Sequence, residues 1–124
     1  MSKRPLYIGK LSDGTVLTTP VKVPAEQTLK NYGLTYRSWR TMLMKQRGVC
    51  GICSKTPVSS GRLVVDHEHV PGWRKMSSAR RALFVRGLLC STCNHYILTR
   101  WATPEKLRAG AAFLEAYQKR KPVD

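Results

Sequence analysis

The most regular pattern of apolar and polar positions lies near the C-terminus. An apolar stripe recurs there at helical spacing, formed by Leu107, Ala111, Leu114 and Tyr117. Thr103 is suited to cap this helix, Pro104 fits its first position, and Pro122 ends the pattern. The sequence therefore predicts a C-terminal helix whose stripe belongs either to the core or to a subunit interface.

A second helical pattern covers residues 35–47. Thr35 is suited to cap it, Trp39 and Leu43 follow at helical spacing, and Gly48 ends it. We expect Trp39 to pack in the core, because basic residues occupy the other faces. Upstream, two short β-prone runs at 6–8 and 15–17 flank the turn signal at 12–14. Residues 1–24 therefore read as an N-terminal arm or β-hairpin, ahead of a domain at 25–124.

The middle of the chain changes from strand to helix patterns. The β-branched run at 63–65 predicts a strand, residues 73–81 read as a polar, basic loop, and an extended pattern resumes at 82–85 with Gly87 as a candidate bulge. A helical period then begins near Cys93 and carries Asn94. The order strand, strand, helix predicts an α+β fold in which the end of the first strand lies beside the first turn of that helix.

Four cysteines form two matching CxxC pairs, Cys50 with Cys53 and Cys90 with Cys93. The N-terminus has no apolar leader pattern, so we expect a cytoplasmic protein with reduced thiols. Two CxxC loops complete a tetrahedral thiolate site with no open position, which predicts structural Zn²⁺. A redox pair of dithiols is the alternative.

The net charge of +15 points to a polyanionic partner. Alternatives are a ribosome-associated protein or a membrane-surface protein, but the chain has no apolar run of membrane-spanning length, which disfavours a membrane. The sequence therefore predicts nucleic-acid binding. Basic residues expected to contact it are Arg74, Lys75, Arg80, Arg81 and Arg86.

The few acidic residues are unevenly placed. No Asp or Glu occurs in 27–65 or 70–104, yet Asp66-His67-Glu68-His69 lies between these stretches. Acids inside a phosphate-binding surface are expected to hold a cation, and Asp66 with Asn94 offers the oxygens that Mg²⁺ or Mn²⁺ prefers. His67 is the candidate general base. A regular strand would point Asp66 and His67 to opposite faces, so a twist or bulge must lie there.

These motifs carry a family resemblance. QRGVCGIC at 46–53, DHEH at 66–69 and VRGLLCSTCN at 85–94 together resemble the recombination endonuclease VII family of phages. The resemblance implies a small ββα-metal (His-Me finger, HNH-type) core with a four-cysteine zinc site, flanking helices and an N-terminal β arm. Asp66 and Asn94 would ligate the catalytic cation, His67 would be the base, and His69 would lie near the scissile phosphate.

The same resemblance implies a metal-dependent endonuclease that nicks or resolves branched DNA such as Holliday junctions, often as a homodimer. Its products would be a 5′-phosphate and a 3′-hydroxyl. The chain departs from the usual family pattern at Glu68, where Asp is more common, and in its longer loop over 70–85. The alternative function is a zinc-knuckle nucleic-acid-binding protein without catalysis.

Overall fold

The elements are short and follow one another closely along the chain. The structure is a computed structural model that describes residues 7–10, 13–57 and 61–121. The strands are β1 Tyr7–Lys10, β2 Val16–Thr19, β3 Val64–His67 and β4 Val85–Leu89, and the helices are α1 Glu26–Asn31, α2 Tyr36–Lys45, α3 Ser78–Ala82 and α4 Pro104–Arg120. A 3-10 turn covers Trp73–Lys75 and a π-helical turn covers Cys93–Ile97. The described residues thus form a mixed domain of α-helices and two-stranded antiparallel sheets.

The N-terminal hairpin is confirmed for the residues that the structure describes. β1 and β2 pair antiparallel, from Tyr7 opposite Thr19 to Lys10 opposite Val16. The turn is held by the Thr15 N–H, which donates to the Asp13 carboxylate at 2.8 Å. The predicted strand residue Leu6 and turn residue Ser12 lie outside the described residues.

Helix α2 begins where its capping residue predicts. The Ser38 N–H donates to the Thr35 hydroxyl at 3.1 Å, and the Thr35 N–H donates back to the Ser38 hydroxyl at 2.9 Å. This reciprocal cap satisfies two amides that the helix itself leaves unpaired. Trp39 and Leu43 are buried, which confirms their expected place in the core. They pack in one cluster with Val21, Leu29, Leu63, Val65, Leu88 and Leu89.

Gln46, at the C-cap of α2, fastens this helix to β4. Its side-chain amide donates to the Leu88 carbonyl at 2.7 Å and accepts from the Leu88 N–H at 2.9 Å. A Cβ at Gly87 would lie 2.9 Å from the Gln46 Oε1, so a larger residue there would displace the Gln46 amide from its bonds to Leu88. The tie fixes the position of β4, and with it the hairpin that β4 forms with β3.

The prediction of a loop over residues 73–81 is wrong. That segment contains the 3-10 turn and the start of α3, whose N-cap Ser77 accepts from the Arg80 N–H. A Cβ at Gly33 would lie 1.9 Å from the Ser78 carbonyl oxygen, so α3 packs against the end of α1 only because this residue is glycine. The second strand also begins later than its apolar pattern, since residue 82 belongs to α3.

Helix α4 has the predicted start. The Lys106 N–H donates to the Thr103 hydroxyl at 3.1 Å, and Pro104 occupies the first turn. The helix has no buried residue, and its stripe is open to solvent at Leu107, Leu114 and Tyr117. In this single chain the stripe therefore does not belong to the core. No helix in the described ranges is both long and apolar enough to cross a membrane.

Candidate active site

Four cysteine thiols come together at one point of the fold. Cys50 and Cys53 follow α2, Cys90 follows β4, and Cys93 begins the π-helical turn. Their sulfur atoms all lie within 4.8 Å of one another, and Cys53 and Cys90 Sγ are 3.9 Å apart. Tetrahedral zinc with bonds of about 2.3 Å separates its sulfurs by about 3.8 Å. The arrangement of the four residues therefore fits a zinc ion. Their CxxC spacing was the sequence feature that predicted this cluster.

The protonation of these thiols is unequal. Although burial works against ionisation, hydrogen bonds from backbone N–H groups lower the pKa of Cys50 to about 6. Burial raises the pKa of Cys93 to about 12. The sulfurs therefore do not all ionise at neutral pH without a cation among them, and zinc binding must release protons.

The β3–β4 hairpin carries the Asp66-His67 pair. Asp66 lies opposite Gly87 and His67 lies opposite Val85, so the pairing shifts by one residue between them. Arg86 is the extra residue on β4. This irregularity is the bulge that Gly87 indicated in the sequence. Asp66 and His67 nevertheless line different pockets.

Asp66 is buried and is paired with Arg86. The carboxylate is only 3% exposed, and both of its oxygens accept from the guanidinium, at 2.8 Å from Nε and 3.1 Å from Nη2. Two parallel hydrogen bonds of this kind fix the orientation of the carboxylate. From the sequence, Arg86 was expected only to contact nucleic acid, and that role remains a prediction. The ion pair with Asp66 is visible only in the folded structure.

His67 lies in a stack of rings on the other side of the strand end. Its imidazole is 4.1 Å from the Trp73 ring at 22°, and 5.1 Å from the His69 ring at 10°. The Tyr32 ring is tilted against it at 5.5 Å. Burial and the nearby His69 lower the pKa of His67 below its usual 6.5. His67 is therefore mainly neutral at pH 7 and able to accept a proton.

An open pocket of about 810 Å³ surrounds this ring stack. His67 and His69 line it together with the positive side chains Arg74, Lys75 and Arg100. Two imidazoles among three cations form a surface suited to a phosphate group. The sequence pointed to Arg74 and Lys75 but not to Arg100, which lies far along the chain from His69.

Arg81 has a different environment from the other basic residues of its segment. Its guanidinium donates to the carbonyls of Trp73 at 3.1 Å, Arg74 at 2.8 Å and Asn31 at 3.0 Å. These bonds tie the 3-10 turn to α1 and place Trp73 against His67. Arg80, in contrast, is exposed, as are Arg74 and Lys75. Contact of these residues with nucleic acid remains a prediction.

Asn94 is half-buried in the π-helical turn directly after Cys93. Its N–H donates to the Cys90 carbonyl at 3.0 Å, so the second CxxC loop sets the position of its backbone. Among the described contacts, no hydrogen bond joins Asp66 and Asn94, and both Asp66 oxygens accept from Arg86. Their joint ligation of a cation remains a prediction. Glu68 and His95 are exposed.

Comparison with known proteins assigns the chain to a family. Residues 25–116 match the sequence profile of recombination endonuclease VII. The Gene 59 protein of Mycobacterium phage D29 is 39% identical over 74 residues, which are 60% of this chain and 38% of that protein. Its counterpart in Mycobacterium phage L5 is 38% identical over 74 residues, with the same coverage. No solved structure matches the chain significantly. The family profile covers most of the sequence, and the chain therefore belongs to the recombination endonuclease VII family.

Proposed function

We propose that this chain is a Mg²⁺- or Mn²⁺-dependent DNA endonuclease built on a ββα-metal (His-Me finger) core. The observation that carries the proposal is the surroundings of His67, a mainly neutral imidazole in an open, positively charged pocket. The next residue back is Asp66, a buried carboxylate. A base and a cation-holding carboxylate at one strand end are the two groups that phosphodiester hydrolysis needs. Family membership supports a nuclease.

In this proposal Asp66 and Asn94 ligate the catalytic cation. A carboxylate and an amide offer the oxygen donors that suit Mg²⁺ or Mn²⁺, and Asp66 is already placed against a positive group. When bound, the cation supplies charge stabilisation at the phosphate and the leaving oxygen. The zinc knuckle contributes by fixing Asn94, since the backbone of this residue is bonded to Cys90.

His67 is the proposed general base. It takes a proton from the attacking water, and its lowered pKa keeps it available for that step at neutral pH. The Trp73 ring prevents the imidazole from turning, because the two rings are stacked. His69 and the positive side chains of the pocket hold the scissile phosphate. The products would carry a 5′-phosphate and a 3′-hydroxyl.

We further propose that the zinc is structural and that the substrate is DNA, including branched DNA such as Holliday junctions. Contacts of Lys and Arg with phosphate favour DNA shape over sequence. Symmetric cleavage of a junction requires two active sites, which a homodimer provides. The exposed apolar stripe of α4 is a surface available to a second copy. The matched residues cover 38% of the length of each phage relative, so the activity, substrate and partners of the whole protein are proposals.

The decisive experiment is cleavage of supercoiled plasmid and of a synthetic four-way junction, with Mg²⁺ or Mn²⁺, by zinc-loaded protein. We expect the wild type to cut and His67→Ala to lose about 10²- to 10⁴-fold in rate, the usual contribution of a general base. His95→Ala is the matched control, because that histidine is exposed and its ring contacts the ring of Tyr96, away from His67 in the part of the chain that the structure describes.

DNA affinity is measured in parallel by fluorescence anisotropy. It should be similar for all three proteins, since the substitutions leave the basic residues in place. Folded wild type that binds both DNAs and never cuts either would establish the alternative, a zinc-knuckle binding protein. Equal loss of activity in His95→Ala and His67→Ala would remove His67 from its proposed role.

A further inference from the structure

The Asp66–Arg86 pair is asymmetric in its exposure. Asp66 is 3% exposed, whereas the Arg86 side chain is 44% exposed. The carboxylate is therefore fixed inside the protein, while the guanidinium lies at the surface and reaches inward to it. A cavity of about 270 Å³ adjoins the pair and is lined in part by Gln46, Gly87 and Leu98.

Gln46 holds the backbone next to Arg86, whereas among the described contacts only Asp66 holds the Arg86 side chain. Leu88 is bonded to Gln46 through its N–H and its carbonyl, and a Cβ at Gly87 would come within 2.9 Å of the Gln46 Oε1. Arg86 is the extra residue of the bulge, so its side chain lies beside Asp66 without a place in the regular strand pairing. The guanidinium can thus change partners by rotation of its side chain alone.

A buried carboxylate is costly without a positive partner. Arg86 supplies that partner by occupying both oxygens of Asp66. A divalent cation that binds Asp66 needs at least one of those oxygens, and its double charge repels the guanidinium beside it. The released guanidinium has five donors in a fork that matches phosphate. If the protein cleaves DNA as proposed, a DNA phosphate at this surface is the ligand that this fork would bind.

We propose that Arg86 is a positioning residue that exchanges partners: it holds Asp66 before a divalent cation binds, and then turns to a DNA phosphate. The inference rests on the proposed function, since it takes Asp66 as a ligand of the catalytic cation. It implies that cation binding and DNA binding strengthen each other. Such coupling is reciprocal, so each ligand changes the affinity for the other by the same factor.

The test measures this coupling without cleavage. The affinity of zinc-loaded His67→Ala for a labelled four-way junction is determined with and without Mg²⁺ at constant ionic strength. We expect Mg²⁺ to tighten binding by about tenfold, within the usual range of such coupling. Adding Arg86→Met should abolish that effect, and Arg86→Lys should remove most of it because an ammonium lacks the planar fork. Arg40→Met, an exposed arginine on α2, is the matched control for loss of one positive charge.

A second measurement needs no DNA. Mn²⁺ affinity, read by electron paramagnetic resonance, should rise in Arg86→Met because the competing guanidinium is gone, and should be lost in Asp66→Asn. If Arg86→Met does not fold, Arg86→Lys keeps a cation beside Asp66 and serves for both measurements. Wild-type coupling in a folded Arg86 variant, or weaker Mn²⁺ binding in Arg86→Met, would overturn the inference. Failure of the proposed function looks different: no cleavage, and Mn²⁺ binding that does not depend on Asp66.

Discussion

Asp66 and His67 are neighbours in sequence but lie in contrasting environments. Asp66 is buried, charged and paired with a guanidinium. His67 is part of an aromatic stack at the wall of an open pocket, and its burial favours the neutral form. The comparison shows how one strand end can give two adjacent residues different partners, a guanidinium for the first and aromatic rings for the second. Strand alternation separates the two environments, and the bulge opposite them changes the local direction of the side chains.

The two sides are also supported by different parts of the molecule. The Asp66 side rests on α2 and β4 through Gln46 and Leu88. The His67 side rests on the turn that Arg81 ties to α1. Substitutions can therefore disturb one side and leave the other, and the predictions below use that separation.

The largest effect is expected where both sides lose their support together. Cys90→Ser removes one of the four thiols that fit a zinc ion, directly after β4, and structural zinc contributes on the order of 10 kcal/mol to folding in small domains. We expect the variant to lose zinc and to unfold, as measured by circular dichroism and by metal analysis of purified protein. A Cys90→Ser protein that kept its zinc and its thermal transition would contradict the structural role of the site.

A smaller and more local effect is expected at the proposed cation site. Asn94→Ala removes a proposed cation ligand but leaves the backbone bond to Cys90 intact. We expect a stable protein with unchanged zinc content and a cleavage rate lower on the order of 100-fold at fixed Mg²⁺, in line with the effect of weakened metal sites. Raising the Mn²⁺ concentration should recover part of the activity. Wild-type cleavage by Asn94→Ala would take this residue out of the metal site.

The smallest effect is expected on the His67 side. Trp73→Ala removes the ring stacked on His67, and such ring pairs contribute about 0.5–1.5 kcal/mol, or roughly 2- to 10-fold in rate. The loss should fall on kcat, since Trp73 orients the base, and Trp73→Phe should restore most of it. The His67 ring proton resonances should shift in Trp73→Ala because a ring current is lost. A change confined to KM would indicate instead that Trp73 contacts DNA.

Several features could be predicted from the sequence because they depend on local chemistry. Thr35 and Thr103 cap their helices, since a hydroxyl before a helical run accepts an orphan amide. Gly87 marked the bulge, and the paired CxxC motifs marked the thiol cluster. The caps and the bulge depend on interactions within a few residues of the chain. The two CxxC motifs are far apart, but they share a spacing that is typical of metal coordination.

Other features could not be predicted, because they depend on residues far apart in sequence. Residues 73–81 are polar and look like a loop, but the Arg81 side chain bonds to Asn31 and orders the segment against α1. Helix α1 was not predicted either. Arg100 lines the His67 pocket only because the chain folds back toward β3 after the second CxxC motif.

The sequence alone determined which chemical groups this protein has: four thiols at metal-binding spacing, one acid-histidine pair in a strongly basic chain, and the family to which these motifs point. Only the tertiary structure decided their partners, since a side chain's charge and orientation are set by whatever the fold packs against it. Asp66 pairs with Arg86 because β3 and β4 are neighbours. His67 stacks on Trp73 because Arg81 holds the 3-10 turn in place. Such contacts cannot be predicted from local sequence patterns.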